Sequence, residues 1–223
     1  MRRHEWRPAR VTTVESAARD MVALGIEPAE WIPHAAGQHY EIRFPGERLS
    51  RKFSIASPPE RINEVEFGVQ VLPKGMLSPR LAGCRPGDSL EIRGPTGAAF
   101  VWHQEDGGPL ILLGGGAGIT PLLAILDHYT ATTAAAPLIF IHSAQSLERV
   151  FRYERYRDRM LVRFTEQHPR IDRDYLAHAL EPVLRDNETR ARVCGPLGFM
   201  TSMVEHLIQL GVQEARIRSE AFV

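Results

Sequence analysis

The chain has 223 residues, 43% hydrophobic and 24% charged, which excludes a disordered or collagen-like polypeptide and leaves room for one large or two small domains. Lys plus Arg and Asp plus Glu each number 27, so the formal net charge is zero and the basic excess of a nucleic-acid binder is absent. Cys84 and Cys194 are too few for a disulfide framework or a four-cysteine iron–sulfur cluster, and the nine histidines lack zinc-ligand spacing, so no metal site is expected.

The first twenty residues carry Arg2, Arg3, Arg7, Arg10 and Arg19 without an apolar run, so no secretory signal is read. Apolar alternation then predicts short strands over Ala9–Val14, His39–Phe44, Lys52–Ile55, Val65–Val71 and Ser89–Ile92. Turn signals at Pro45-Gly46, Pro58-Pro59, Pro86-Gly87 and Gly94-Pro95 separate them, and one short helix fits Ser78–Ala82. Short strands with regular turns suggest a barrel or sandwich.

Beyond a polar linker at Trp102–Gly108 the pattern changes. Strands are expected at Pro109–Leu113, Pro137–His142, Met160–Thr165, Ala191–Val193 and Ile217–Phe222. Helices are expected at Pro121–Tyr129, Leu147–Arg159, Arg173–Leu180 and Gly198–Leu210. Strands alternating with helices imply a parallel sheet. The uncharged stretch Pro109–Leu126 is broken by Gly114, Gly115, Gly116, Gly118 and Pro121, so no membrane span is read and the protein is expected to be soluble and cytoplasmic. An Ala/Thr stretch, Thr130–Ala136, is the one low-complexity segment.

Four motifs carry chemistry. Gly114-Gly115-Gly116-Ala117-Gly118-Ile119-Thr120-Pro121 follows a strand and opens a helix; its glycines let the backbone approach a pyrophosphate, with Thr120 as N-cap and Pro121 as first helical residue. It lacks the acidic residue of the ordinary dinucleotide fingerprint after the second strand, where His142-Ser143-Ala144 falls. Arg51-Lys52-Phe53-Ser54-Ile55-Ala56-Ser57 puts Arg51, Phe53 and Ile55 on one strand face and Lys52 and Ser54 on the other. Lys74-Gly75-Met76-Leu77-Ser78 is a glycine turn before a short helix, and Cys194-Gly195-Pro196-Leu197-Gly198 is a strand-to-helix turn. Taken singly, each also fits a structural turn or an exposed strand, and Cys194 fits a buried structural thiol.

In this order and spacing the four resemble the ferredoxin–NADP reductase-like flavoprotein superfamily. The resemblance also takes in Gly37-Gln38-His39, Gly87-Asp88, Gly94-Pro95-Thr96-Gly97 with Phe100, and the tail Glu220-Ala221-Phe222. It implies an all-β antiparallel barrel binding FAD over residues 1–103, then an α/β parallel-sheet NAD(P)-binding domain over 104–223. By the same resemblance, Arg51 with Lys52 beside it holds a flavin phosphate, Phe53 (commonly Tyr) packs on the flavin, and Ser54 lies near its N5. Gly75, Met76, Leu77 and Ser78 hold the pyrophosphate, which favours FAD over FMN. Gly116, Gly118, Thr120 and Pro121 face the nicotinamide side of the second dinucleotide. Cys194, with Gly195 and Pro196, borders the nicotinamide as a contact and not a nucleophile, and Glu220 and Phe222 approach the flavin. The catalytic set is then Ser54, Cys194, Glu220 and Phe222.

The expected function is hydride transfer from NADH or NADPH to FAD, then single electrons to a separate acceptor protein such as a ferredoxin, flavodoxin, cytochrome or oxygenase component. The alternatives are an NAD(P)H:flavin reductase and a non-catalytic nucleotide-binding module. NADH is expected to be preferred, because Gln145 and Glu166 stand where arginines would meet a 2′-phosphate; Arg149, Arg152 and Arg170 are the rivals. His142 and His168 are read as surface or capping residues, Glu148–Arg159 as a solvated helix with ion pairs, and Trp6, Trp31 and Trp102 as packing residues.

Overall fold

Alternating apolar residues in the first hundred positions build one antiparallel sheet. Its strands are β1 (Arg7–Ala18), β2 (Met21–Pro28), β3 (His39–Arg43), β4 (Ser50–Ser54), β5 (Val65–Gln70) and, after helix α1 (Ser78–Ala82), β6 (Ser89–Thr96). The computed structural model describes residues 4–132 and 136–222; Arg2, Arg3 and the centre of the Ala/Thr stretch, 133–135, lie outside the described residues. The strand order is β4-β3-β6-β1-β2-β5. Ile55 bridges Phe67 and the Ala56 N–H donates to the Glu66 carbonyl at 2.7 Å, so the end of β4 closes on β5 and the sheet curls into a barrel. Leu24, Ile26, Ile42, Phe67, Leu90 and Ile92 fill it, each 1% exposed or less. Burying such a side chain contributes about 1.5–3 kcal/mol.

β2 was not expected from the sequence. Met21 and Ala23 pack into the core of the second half of the molecule, whereas Leu24 and Ile26 face the barrel interior. A strand covered on both faces loses the polar alternation that marks a strand.

The second half forms β7 (Leu110–Gly115), α2 (Ile119–Thr132), β8 (Leu138–Ala144), α3 (Tyr153–Tyr156), β9 (Leu161–Phe164), α4 (Arg173–Ala179), α5 (Glu181–Leu184), β10 (Arg190–Pro196), α6 (Leu197–Gln209) and β11 (Ile217–Phe222). Its sheet is parallel, in the order β11-β10-β7-β8-β9. α2 covers the face toward the barrel together with Trp102; Leu176, Leu180, Val183, Met203 and Leu207, from α4 to α6, cover the other. Among the described residues no helix is long and apolar enough to cross a membrane.

The continuous solvated helix expected over Leu147–Arg159 is absent. Short 3₁₀ turns flank the single turn α3, Arg152 is left-handed at φ 53°, and Val150, Phe151 and Tyr156 are buried. Arg149 and Arg152 of this segment point inward for a reason. The Arg152 guanidinium meets Glu66 of β5 at 2.7 Å and Glu15 of β1 at 2.9 Å, and Arg149 meets Asp20 at 2.8 Å. The Arg152 N–H donates to the Ala17 carbonyl at 3.0 Å and the Arg19 N–H to the Glu148 carbonyl at 2.7 Å. The segment is a clasp joining the parallel sheet to the β1–β2 hairpin.

Candidate functional site

Two clefts open on either side of one glycine-rich loop. The first, about 270 Å³, lies where the barrel meets the parallel sheet. β4 contributes Arg51, Lys52, Phe53 and Ser54; the turn before α1 contributes Gly75, Met76, Leu77 and Ser78; the loop, α2 and the tail contribute Ala117, Thr120 and Phe222. β4 reaches the rim because its register on β3 pairs Ser54 with His39 and Phe53 with Tyr40, which leaves the strand's outer edge free until Ile55. Arg51 is exposed; its Nη1 donates to the Ser50 carbonyl at 2.8 Å, and no described carboxylate pairs with it. The Gly75 turn is tight: its N–H donates to the Leu72 carbonyl at 2.8 Å, and a Cβ there would meet that oxygen and Ser78 Oγ at 3.0 Å.

The second cleft, about 460 Å³, lies at the carboxyl ends of the parallel strands. Gly115 ends β7 and Gly116 follows it, Ser143 and Ala144 end β8 with Gln145 just beyond, and Pro196 ends β10, followed by Gly198, Phe199 and Ser202 on α6. The strand order reverses between β7 and β10, and such a switch point is where open α/β sheets bind ligands. The Phe199 ring lies over Gly115 and Gly195, where a Cβ on either would come within 2.8 Å of it.

The loop between the clefts is set by close packing. A Cβ on Gly118 would lie 2.2 Å from the Cys194 carbonyl oxygen. A 3₁₀ turn over Gly116–Gly118 runs directly into α2, which starts at Ile119, so Thr120 is not the expected N-cap and Pro121 is not the first helical residue. The Thr120 hydroxyl donates to the Ala117 carbonyl at 2.9 Å instead. Pro121 sits within the first turn, where a missing N–H costs no helix bond.

Behind the loop a polar row crosses the sheet. Glu220, Cys194, Gly114 and His142 are consecutive register partners, about 4.8 Å apart from strand to strand. Burial pushes the Cys194 thiol well above its usual range, with the Glu220 charge adding to the effect, so it is a neutral thiol. Burial also raises the Glu220 carboxyl, against the opposing pull of Lys52 across the cleft. His142 is fully buried, not the surface or capping residue expected; burial lowers it to about 4, and its Nδ1–H donates to the Gly114 carbonyl at 3.1 Å.

Of the residues singled out from the sequence, Arg51, Lys52, Phe53, Ser54, Gly75, Met76, Leu77, Ser78, Thr120 and Phe222 line the first cleft, and Gly116 and Pro196 the second. Gly118, Pro121, Cys194, Gly195 and Glu220 line neither and belong to the wall between them. Gly68 went unremarked, yet a Cβ there would meet Thr120 Oγ1 at 2.6 Å, so β5 and α2 touch only because it is glycine. A glycine inside a strand was the available signal. Arg170 lines the second cleft and Glu166 does not. Arg149 and Arg152, the other rivals, are held in the clasp.

The first cleft combines an apolar wall, two cations, hydroxyls and a glycine turn that a side chain would fill. That donor set fits a flat ring system carrying a diphosphate. Among the described residues no group of His, Cys, Asp and Glu is placed to hold a metal ion.

Comparison with known proteins agrees with this geometry. Residues 9–101 match the family described as the oxidoreductase FAD-binding domain. Over 144 residues the chain is 33% identical to the reductase component of propane 2-monooxygenase from Mycolicibacterium goodii, covering 63% of this chain and 41% of that protein. The chain thus spans about two-fifths of that relative's length. It is 26% identical over 229 residues to the toluate 1,2-dioxygenase electron transfer component of Pseudomonas putida, covering 96% of this chain and 67% of that one. In fold it is similar to the crystal structure of the Amycolatopsis cytochrome P450 reductase GcoB, with a TM-score of 0.83, 24% identity, and coverage of 98% of this chain and 71% of that one.

Proposed function

We propose that the chain, whose residues 9–101 match the oxidoreductase FAD-binding domain, carries electrons from a nicotinamide dinucleotide through FAD to a separate redox protein. The observation that carries this reading is the pair of clefts sharing one thin wall, the loop Gly115–Thr120. FAD, when bound, accepts hydride and releases electrons singly; the protein's part is alignment and exclusion of competing reactions. In this reading residues 1–103 form the flavin unit and 104–223 the dinucleotide unit. Arg51 and Lys52 bind phosphate, Phe53 and Phe222 pack on the ring, and Ser54 offers a hydroxyl at its edge. Gly75, Met76, Leu77 and Ser78 wrap the diphosphate, while Gly116, Gly118, Thr120, Pro121, Gly195 and Pro196 shape the nicotinamide side. Cys194 and Glu220 back the transfer point as a neutral thiol and a carboxyl of raised pKa. The relatives named as monooxygenase and dioxygenase components support an oxygenase component as the electron acceptor.

Purified protein should be yellow, anaerobic NADH should bleach it, and heat should release FAD. A colourless protein that takes up no FAD would overturn the reading. Arg51→Ala should raise the Kd for FAD roughly tenfold or more, since a charge-assisted hydrogen bond is worth about 1.5–3 kcal/mol; fluorescence titration with FAD measures it.

Cys194→Ser should fold and keep FAD yet slow flavin reduction in stopped flow, because the hydroxyl is smaller and less polarizable than the thiol. Reduction at the wild-type rate would leave Cys194 a packing residue only.

We take NADH as the preferred donor. Gln145 lines the second cleft where an arginine would meet a 2′-phosphate, and Arg170, which lines it too, is the residue that would accommodate that group if NADPH were the donor. A higher kcat/KM with NADPH would reverse this assignment.

A further inference from the structure

Away from both clefts, β10 and β11 carry a cluster of arginines on the sheet face that also bears Cys194 and Glu220. Arg192 and Arg218 are register partners. Arg190 stands two residues earlier on β10, and Arg216 immediately precedes β11. Together with His103 and Asp106 these four line a polar hollow of about 580 Å³. Its far wall is the segment that joins the two sheets. Arg192 Nη2 donates to the Val101 carbonyl at 2.9 Å and to Asp106 Oδ2 at 3.2 Å, and Arg190 Nε donates to the Asp106 carbonyl at 2.7 Å.

Charge in this hollow is not balanced from within. Asp106 serves Arg192, and Glu188 pairs with Arg216 at 2.7 Å. Among the described residues no carboxylate lies within ion-pair distance of Arg190 or Arg218, whose nearest polar contacts are backbone carbonyls. The Arg192 side chain is only 5% exposed, and its Nε, wholly buried, has no hydrogen-bond partner. Burial lowers its guanidinium to about 10, and Arg218 and Arg190 push the same way against Asp106. Gathering like charges in a recessed place opposes folding unless an anion completes it.

We propose that this hollow is a binding site for a small anion bearing a phosphate or diphosphate group, distinct from the two dinucleotide clefts. Guanidinium groups arriving from two strands offer several N–H forks to one many-oxygened group, the geometry that arginine provides for phosphate. The volume falls within the range of about 300–1,000 Å³ typical of small-molecule sites, larger than a lone ion needs. The recess of Arg192 and Arg216, 5% and 19% exposed, favours a ligand that enters over the flat acidic face of a protein. An occupant would bridge the inter-sheet segment to β11, the strand whose far end carries Glu220 and Phe222.

Calorimetric titration of inorganic pyrophosphate, ADP and citrate into the full chain saturated with FAD tests this. Pyrophosphate should bind at one site, about tenfold weaker in Arg190→Gln/Arg218→Gln and unchanged in Arg170→Gln, which alters the second cleft. ADP binding that is tighter than pyrophosphate and weakened in Arg190→Gln/Arg218→Gln but not in Arg170→Gln assigns the site to a nucleotide, and equal binding with the same variant pattern assigns it to the phosphate group alone. Flavin reduction by NADH should be unaffected in the double variant. Where the double variant does not fold, the exposed Arg218→Gln alone should show a several-fold loss. The proposal is overturned by no heat at millimolar pyrophosphate, by loss of binding in Arg170→Gln instead, or by citrate binding as tightly as pyrophosphate.

Discussion

Gly118→Ala is expected to cost about 3 kcal/mol, at the upper end of overpacking substitutions. The added methyl would stand 2.2 Å from the Cys194 carbonyl oxygen, 2.5 Å from its carbon and 2.7 Å from the Gly195 nitrogen. Those atoms belong to β10, which pairs with both β7 and β11 and cannot rotate away as a side chain could. Either the strand or the start of α2 must move. For a chain of this size a loss of that order lowers Tm by roughly 10 °C. Because the same loop walls both clefts, flavin reduction by NADH should fall with it. Gly116→Ala is the useful contrast. It meets nothing within 4 Å but sits at φ +54°, so only the left-handed penalty of about 1–2 kcal/mol applies. Equal melting temperatures for Gly118→Ala and the wild type would show that the contact at Cys194 relaxes freely.

Arg152→Ala is expected to be comparably damaging, about 3 kcal/mol by urea unfolding. It leaves Glu66, with a side chain only 10% exposed, facing Arg61 at 3.7 Å in place of a direct partner at 2.7 Å. It also frees the clasp from Glu15. Breaking a buried pair by removing one member costs more than the pair contributes, because the remaining charge stays desolvated. Arg157→Ala serves as the control, since its partners Glu154 and Asp158 are 80% and 92% exposed and such a pair is worth about 0–1 kcal/mol. If the two variants unfold at the same urea concentration, the clasp contributes nothing beyond a surface pair.

How much of this was legible beforehand differs from element to element. The strand over Val65–Val71 was readable because Val65, Phe67 and Val69 all face the barrel interior and alternate with residues on the other side. The strand Met21–Pro28 was not, because its second face is covered by a part of the chain a hundred residues away. Likewise the charged run Glu148–Arg159 has the composition of a solvated helix, and only the acidic residues waiting on β1 and β5 turn it into a clasp. Thr120 and Pro121 form a reasonable helix-start signal, but α2 starts two residues earlier, at Ile119, because the glycines preceding it are tight enough to lead into the helix as a 3₁₀ turn.

The amino-acid order alone determined the division into an antiparallel and a parallel half and the places of the glycine turns, whereas the grouping of Arg51–Ser54 with Gly75–Ser78 came from the family resemblance. The division and the turns rest on local causes: side-chain period and backbone freedom at glycine. Tertiary structure decided what depends on groups far apart in the chain. It made Cys194 and Glu220 wall residues behind the clefts, brought Arg170 and not Glu166 to the second cleft, and buried His142 beside Gly114. It also assembled four arginines, from β10, β11 and the turn before β11, around one hollow. No local pattern encodes those outcomes, because strand register and the docking of one sheet against the other set the distances between such residues, and both follow from burying the two cores together.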